Sequence, residues 1–509
     1  ACVCACARAC ASAMGDEANV TVLVLFALYL LAVLGASLFA YASNRRAIAA
    51  AKKDAGPENP DRALALEQHF LGGRSLGRVV TVLTLAGTVY SGYSLIAVPA
   101  DFGRNGFVGV RWFGNTVSVQ FGALALAPRL RRLGLARRYV SPLAFVQDRF
   151  RSPPLSAFAV VATVVPALFF LAAQVISLRD TIATAFSGTL NPDLTTLGCC
   201  GLIVAYEWFG GMTSVAWTDV LQGAVMTLGT VGGAVLIACT WGGLEGAAQT
   251  LARARPQFYA VPSGESQMAM FAYAAGASAF FVNAFCITRV YAAKHYSSVR
   301  LAMCVIAAME FVIKLPGMLL GVQGAARMPA VEPSQIFSAV SLALAQQSAI
   351  ATILMSALLV AAMAAIMSTA DSSLMALTNV AASDVLDRRL SHVPEHAFKL
   401  LSLVAMVAAV GLSYLFTDLT LLFVLQNSLL MVGVAPLFAL GLYVPTMHAG
   451  VVLVSTAAGV CVAVGLTFGL RGDDEMRLLQ LAGNMVGLGV LLCVAYVLHA
   501  LQRRSPLGA

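Results

Sequence analysis

The sequence predicts an all-α polytopic membrane protein with about thirteen transmembrane helices, and three observations carry that expectation. The first is composition. Hydrophobic residues make up 59% of the chain and charged residues 11%, against about 25% charged in soluble domains; the mean hydropathy is +0.83. The second is run length. Apolar residues come in stretches of about 20 or more, the length a helix needs to cross a bilayer. Such long, continuous runs exclude a transmembrane barrel, whose strands alternate. The third is the order of the charges, which fall mainly between the apolar stretches.

The stretches lie near 20–42, 78–100, 107–128, 156–177, 194–212, 219–240, 268–292, 300–323, 348–383, 398–416, 418–443, 447–469 and 478–501. Ahead of the first, residues 1–19 carry Cys2, Cys4, Cys6 and Cys10. Their spacing is not that of metal ligands and no histidine stands beside them, so the tail is expected to be disordered. It does not read as a signal peptide, because the apolar run starts too late and is too long. Cysteines inside the stretches, such as Cys239, Cys286 and Cys461, read as small hydrophobes.

The second stretch contains Gly87 and Gly92 flanking Thr88 and Ser91. Glycine in mid-span weakens a helix, and hydroxyls can satisfy the freed backbone. A broken helix offers carbonyls to a cation and half-helix ends to an anion. Close packing of small residues is the other reading. Five stretches later the seventh carries Gly276, Ser278 and Asn283 in mid-membrane. Interrupted spans in matching positions of two halves point to an inverted-repeat transporter. Other polar residues at membrane depth are Gln174, Glu207, Glu310, Lys314, Gln426 and Asn427. Glu310 and Lys314, four apart with the acid first, read as an ion pair within one helix. Pro316 is expected to kink the eighth span. Glu207 and Asp219 lie near the ends of YEWFGGMTSVAWTD, which reads as an inner-face turn at Gly210–Gly211.

Residues 361–384, AAMAAIMSTADSSLMALTNVAASD, gather Ser368, Thr369, Asp371, Ser372 and Ser373 in an otherwise apolar helix. At helical spacing Ala361, Ala365, Ser368 and Ser372 share one side, next to Asp371. Small residues admit another backbone, and hydroxyls with a carboxylate offer the oxygen ligands that a hard cation such as sodium takes. The other reading is that the hydroxyls bond back to carbonyls one turn earlier and the small residues only pack helices.

The net charge is +8. With the N-terminus outside, about 22 of the 32 lysines and arginines fall in inner segments, as the positive-inside rule requires. They include Arg45, Arg46, Arg74, Arg129, Arg131, Arg132, Arg137, Arg138, Arg149, Arg151, Arg289, Lys294, Arg388, Arg389, Arg503 and Arg504. The C-terminus is then cytoplasmic, and the span count is odd. The anionic inner leaflet explains the basic balance without nucleic acid. No nucleotide-binding loop, zinc spacing or hydrolase elbow is present, so neither an ATP-driven pump nor an enzyme is indicated.

Several stretches resemble the sodium/solute symporter family, which includes the sodium/proline and sodium/glucose symporters. GGMTSVAWTDVLQG (210–223) is similar to the family's Gly-Gly…Thr-Asp-Val…Gln-Gly signature, and IMSTADSSLMALTNVAASD (366–384) to its Met-Ser-Thr helix. YVSPLAFVQDRF (139–150) and TRVYAAK (288–294) resemble its inner-loop motifs. The resemblance runs from about residue 75 to 440. It implies a five-plus-five inverted-repeat fold with broken helices, built from spans two to six and seven to eleven. It also implies a sodium site: side-chain oxygens from Ser368 and Thr369, and carbonyls from Ala365, Gly87 and Tyr90. Asp219 matches the family's aspartate that helps sodium leave; Asp371, next to the stripe of small and hydroxyl residues, is the second expected release or gating residue. The family's proline symporters have an aspartate where this chain has Val89, and a Gln-Pro-His run where it has Asn283, Ala284 and Phe285. Both departures set this chain apart from proline transport.

The expected organisation is a tail at 1–19, a first span and cytoplasmic linker at 20–76, repeats at 77–240 and 268–443, and two further spans with a short tail at 444–509. The expected function is sodium-coupled symport of a small organic solute across a plasma or inner membrane. Thr88, Ser91, Tyr93, Gln174, Asn283, Phe285 and Gln426 are the expected solute cavity. The solute, sodium and the lipid bilayer are the expected partners. Two alternatives are a proton-coupled symporter on the same scaffold, using Asp371 or Glu207, and a transporter-like sensor acting with a separate signalling partner.

Overall fold

The computed structural model describes residues 16–54, 61–186, 189–259, 262–386, 395–416, 419–469 and 486–500. The cysteine cluster of the tail, Arg388, Arg389, Arg503 and Arg504 lie outside the described residues. In chain order the helices are α1 (Asp16–Asp54), α2 (Asp61–Leu71), α3 (Arg78–Val89), α4 (Val98–Asn105), α5 (Arg111–Ala136), α6 (Ala144–Phe150) and α7 (Pro153–Ala185). They continue as α8 (Pro192–Trp241), α9 (Gly243–Ala254), α10 (Gly264–Ala277), α11 (Ala284–Ala292), α12 (Tyr296–Arg327), α13 (Ile336–Ala345) and α14 (Ala349–Val380). The last are α15 (Glu395–Leu415), α16 (Leu419–Ser428), α17 (Ala435–Tyr443), α18 (Ala449–Gly469) and α19 (Val486–Ala500). Among the described residues the only β pairing is an isolated bridge between Leu76 and Ala293.

Eight of these helices are long and apolar enough to cross a membrane, or ten spans if two bent pairs each count once. The described parts of the thirteen sequence stretches fall mainly on helices. The counts differ because 78–100 and 107–128 belong to one bent pair, 194–212 and 219–240 to α8, and the described part of the last stretch is short.

α14 is the axis of the bundle. Every residue from Leu358 to Val380 is buried, so the helix is covered on all sides, as a nearly all-apolar helix must be in a bundle core. It packs on α8 and α7 most extensively, and also on α1, α13, α15, α11 and α3. Close approach comes from small residues: a β-carbon at Gly229 of α8 would lie 2.7 Å from that of Ala361.

The two breaks flank this axis. After Val89 the chain turns extended at Tyr90 (φ −90°, ψ 103°), and the segments on either side are bent by 57°. In the second, Asn283 (φ −53°, ψ 136°) separates a 3-10 turn at Ser278–Val282 from α11, with a bend of 52°. The interruption falls at Asn283 and not at Gly276, which stays inside α10. At one end of the bundle the loops are tied together. Lys294 N–H donates to Leu76 O at 2.9 Å. The 139–150 stretch docks on the turn after α14, where Ser141 donates to Asp384 and Gln147 Nε2 donates to Asp384 Oδ1 at 2.6 Å.

The turn expected at Gly210–Gly211 is a kink at a single residue within α8. α8 has 50 residues and as one rod would measure about 75 Å, more than twice the hydrocarbon core. Gly211 alone leaves helical geometry (φ 54°, ψ −146°), and this one residue divides α8 into two arms. Glu207 and Asp219 are accordingly buried within the bundle. Pro316 lies inside α12, where it forfeits one hydrogen bond of the helix that runs from Tyr296 to Arg327.

The kink at Gly211 is held by α2. A β-carbon there would lie 2.5 Å from His69 O, in a backbone region that is essentially glycine-only. Gly211→Ala should therefore lower thermal stability by about 1–3 kcal/mol. Gly201→Ala, where a β-carbon meets nothing within 4 Å, should leave the melting temperature unchanged; equal melting of the two variants would refute the strain.

His69 itself lies between the rings of Phe70 (centroids 4.8 Å apart) and Phe398 (5.7 Å). Burial, with Lys399 nearby, pushes its imidazole down from 6.5 to about 4. The unfolded chain binds this proton at a higher pH than the folded one does. Stability held above pH 6.5 should be lost as pH falls toward 4. In a melting series over that window, His69→Phe should show a shallower decline than the parent.

Candidate functional site

The last turn of α3 meets α14 at Gly87. A β-carbon on Gly87 would lie 2.9 Å from Ser368 Oγ and 3.7 Å from Asp219 O, so the approach depends on glycine. One turn along, the hydroxyls of Thr88 and Ser372 are 3.1 Å apart. A β-carbon on Gly92, beyond the break, would meet Ile366 Cγ1 at 2.8 Å and Gln174 Oε1 at 3.5 Å. The broken segment and the hydroxyl-bearing helix, far apart in sequence, are thus in contact on both sides of the break.

The hydroxyls of α14 have defined proton directions. Ser368 donates to Asp219. Thr369 donates back to Ala365 O at 3.0 Å, the bond that the packing reading anticipates. Ser372 donates to Ser368 O at 2.7 Å. Asp371 accepts from Tyr206 Oη at 2.5 Å. A hydroxyl that gives its proton away keeps lone pairs on the same oxygen.

Asp219 is the hub that sequence placed at the rim of a turn. Its carboxylate accepts from Ser368, from Thr84 and, at 2.8 Å, from Arg289 Nη2. Arg289 also donates to Ser372 Oγ at 2.5 Å, Thr84 Oγ1 at 2.8 Å and Phe285 O at 3.3 Å. Both members of the ion pair are buried. Sequence reasoning used Arg289 only as a topology marker. The available signal was a full charge in an apolar stretch, which at membrane depth calls for a partner. Thr84 and Tyr206 carried no signal that set them apart from other polar residues.

The solute candidates divide. Ser91 lines a small cavity of about 30 Å³ at the break, together with Val89, Ser94, Trp112, Val119, Phe170, Phe280, Lys314, Phe423 and Asn427. Phe285 stacks on Phe170, ring centroids 5.8 Å apart, one layer behind the wall. Gln174, Asn283 and Gln426 are buried, and each holds a side-chain amide atom without a hydrogen-bond partner: Gln174 Oε1, Asn283 Nδ2 and both atoms of Gln426. Thr88 instead points to α14 and Thr84 O. Tyr93 opens the turn after the break, and its side chain lies outside the described residues. Lys314 pairs with Glu310 at 2.5 Å, as its spacing predicts, and also donates to Trp112 O, which sets the pair at the cavity wall.

A bundle of apolar helices with two opposed broken spans around a buried polar cluster defines an integral membrane transporter of the five-plus-five inverted-repeat fold. The chain belongs to the sodium:solute symporter family, whose profile matches residues 69–459. A Na+-coupled sialic acid symporter, solved in a substrate-bound outward-open state, superposes with a TM-score of 0.74 at 18% identity, covering 94% of this chain and 98% of that one. The high-affinity proline transporter of Bacillus subtilis is 31% identical over 172 residues, 32% of this chain and 35% of the relative. The osmoregulated proline transporter of the same organism is 26% identical over 332 residues, 63% of this chain and 65% of the relative. The sodium/pantothenate symporter of Escherichia coli is 31% identical over 199 residues, 38% of this chain and 40% of the relative. The matched stretches thus span between about a third and two thirds of these curated relatives' length.

Breaking a buried ion pair from one side leaves an uncompensated charge and costs about 3–5 kcal/mol. Asp219→Asn and Arg289→Gln should each lower the melting temperature strongly. The double variant should be no worse than either single variant. Additive losses would show that the two residues are not coupled.

Proposed function

We propose that the protein is a sodium-coupled symporter of a small organic solute that works by alternating access. The observation that carries this reading is the approach of the Gly87 backbone to Ser368 Oγ, 2.9 Å from where a β-carbon would sit. The carbonyls of Gly87, Tyr90 and Ala365 and the hydroxyls of Ser368 and Thr369 form the ion's oxygen shell. The protons of both hydroxyls are engaged, by Asp219 and Ala365, which leaves lone pairs for a hard cation. The extended backbone at Tyr90 takes carbonyls out of the helical ladder, where they are free to act as ligands.

Sodium enters from outside and ties α3 to α14. This fixes the broken segment and completes the adjacent solute cavity, so each ligand strengthens binding of the other, and coupling of about 1–3 kcal/mol suffices. Repeats 77–240 and 268–443 then rock about the site. A membrane potential contributes about 2.3 kcal/mol per charge per 100 mV. Asp219 draws sodium toward the cytoplasmic side, and Arg289 holds the same carboxylate once the ion has left. Two cations near one carboxylate repel each other, so Arg289 favours release. Asp371, fixed by Tyr206, adds negative charge along that route. Orientation follows the lysine and arginine bias, with the N-terminus outside and the C-terminus in the cytoplasm.

The solute is seated against the aromatic wall of Trp112, Phe170, Phe280 and Phe423, with Ser91, Asn427 and the unpartnered amide atoms of Gln174, Asn283 and Gln426 as polar partners. An amphipathic organic solute fits such a lining. Val89 and Phe285 distinguish it from the pattern of the proline symporters. A proton-driven cycle would instead use the buried carboxylates of Glu207 and Asp371.

A thermal-shift screen of the purified protein in sodium and in potassium should select a solute that stabilises more in sodium. Uptake of that solute should fail when potassium replaces sodium at fixed pH. Ser368→Ala and Thr369→Ala should each raise the sodium concentration for half-maximal uptake about tenfold or more. Unchanged uptake in sodium-free buffer would overturn the assignment and, if pH-dependent, favour proton coupling.

A further inference from the structure

Away from the buried cluster, one cavity is basic. It has a volume of about 550 Å³ and lies between the end of α5, the 137–151 stretch and the end of α17. Its walls include Arg129, Arg132, Arg137, Arg149 and Arg151, against a single carboxylate, Asp148. Asp148 is itself shared. It accepts from Tyr139 Oη at 2.5 Å and lies 3.6 Å from Arg137 Nη1. Five cations in one concavity with one acid repel each other, and no hydrophobic gain explains gathering them.

Two of the five are anchored and two are unengaged. Arg129 donates to Leu442 O at 2.8 Å and lies over the Tyr443 ring. Arg149 donates to Pro445 O at 2.5 Å and Gly441 O at 3.3 Å. Neutral carbonyls orient these guanidinium groups without cancelling their charge. Arg132 and Arg151 have no carboxylate within ion-pair distance among the described residues, and Arg132 is exposed. Arg151 is held at φ 47°, a left-handed conformation uncommon for a residue other than glycine.

The cavity also adjoins an exposed apolar surface. On α5, Phe121, Leu124 and Leu135 are large, apolar and exposed, and Arg129 and Arg132 lie on the same helix. Tyr443, half exposed, donates to Ala125 O at 2.5 Å, an aromatic placed as at a membrane–water interface. An apolar helix face leading directly to a basic concavity matches a molecule with acyl chains and an anionic head.

We propose that this cavity is a binding site for the phosphodiester headgroup of an anionic phospholipid, with the acyl chains along the Phe121–Leu124 face of α5. Guanidinium groups recognise phosphate through paired N–H donors, and basic pockets at helix ends hold anionic lipid heads. The proposal does not depend on the coupling ion or the solute.

The test uses the full chain in nanodiscs of phosphatidylcholine alone or with phosphatidylglycerol. Melting temperature is read together with the lipid retained after detergent exchange. Phosphatidylglycerol should raise the melting temperature and be retained preferentially. Arg132→Gln/Arg151→Gln should lower its retention about tenfold or more, roughly the worth of two cations beside an anionic lipid. Arg132→Lys/Arg151→Lys, which keeps the charge and loses the paired donors, should retain an amount between that of the parent and that of the glutamine variant, and Arg253→Gln, on α9 outside the cavity, should change nothing. Inorganic phosphate added to phosphatidylcholine discs should not reproduce the shift. If it does, the site takes a soluble anion and the lipid assignment fails. Equal retention by the parent and the double glutamine variant, with both folded, would overturn the site altogether.

Discussion

A helix covered around its whole circumference leaves its polar groups no recourse to water. That constraint on α14 orders the rest of the structure. Ser368, Thr369, Asp371, Ser372, Thr378 and Asn379 all lie in its buried stretch, so each must be met by protein. Tyr206 and Asp219 come from α8, Thr84 and Thr88 from α3, and Arg289 from α11. Asn379 reaches the loop, where Nδ2 donates to Val140 O at 3.1 Å. The polar groups of one helix therefore draw together elements from both halves of the chain. The energetic interest lies in the ion pair of Asp219 and Arg289, which is expensive to bury and holds its place only because Ser368, Thr84 and Ser372 share its hydrogen bonds.

The fold was largely legible in the sequence, because its signals are of the kind that periodicity and run length report. Apolar runs gave the helices, and the Gly87–Gly92 pair gave the first break. Asn283 was singled out in the right stretch, but nothing in its local sequence ranked it above Gly276 as the residue that leaves the helix. Gly210–Gly211 read as a turn because two adjacent glycines usually mark one. Only the three-dimensional course shows that one of them suffices to redirect a helix.

The site was legible as a pair of helices and not as a network. Small residues and hydroxyls announced that α14 and α3 meet. Which hydroxyl gives its proton to which oxygen depends on distances across the bundle, and these have no trace in local spacing. Arg289 shows the limit. Its position near the end of a stretch suited a charge at the membrane surface, and a long side chain hides how far inward the head group reaches. Asp384 is a parallel case, since its partners Ser141 and Gln147 lie in a motif whose similarity was visible while its docking place was not.

The break presents two kinds of surface with different histories open to them. A main-chain carbonyl, such as that of Tyr90 or Ala365, is the same chemical group whichever residue bears it. The walls of the neighbouring cavity are side chains, among them Val89, Trp112, Phe280 and Asn427. A single codon change at one of those positions rewrites the shape and polarity of the cavity without altering one carbonyl beside it. The cavity can therefore change its character while the main chain beside it stays the same.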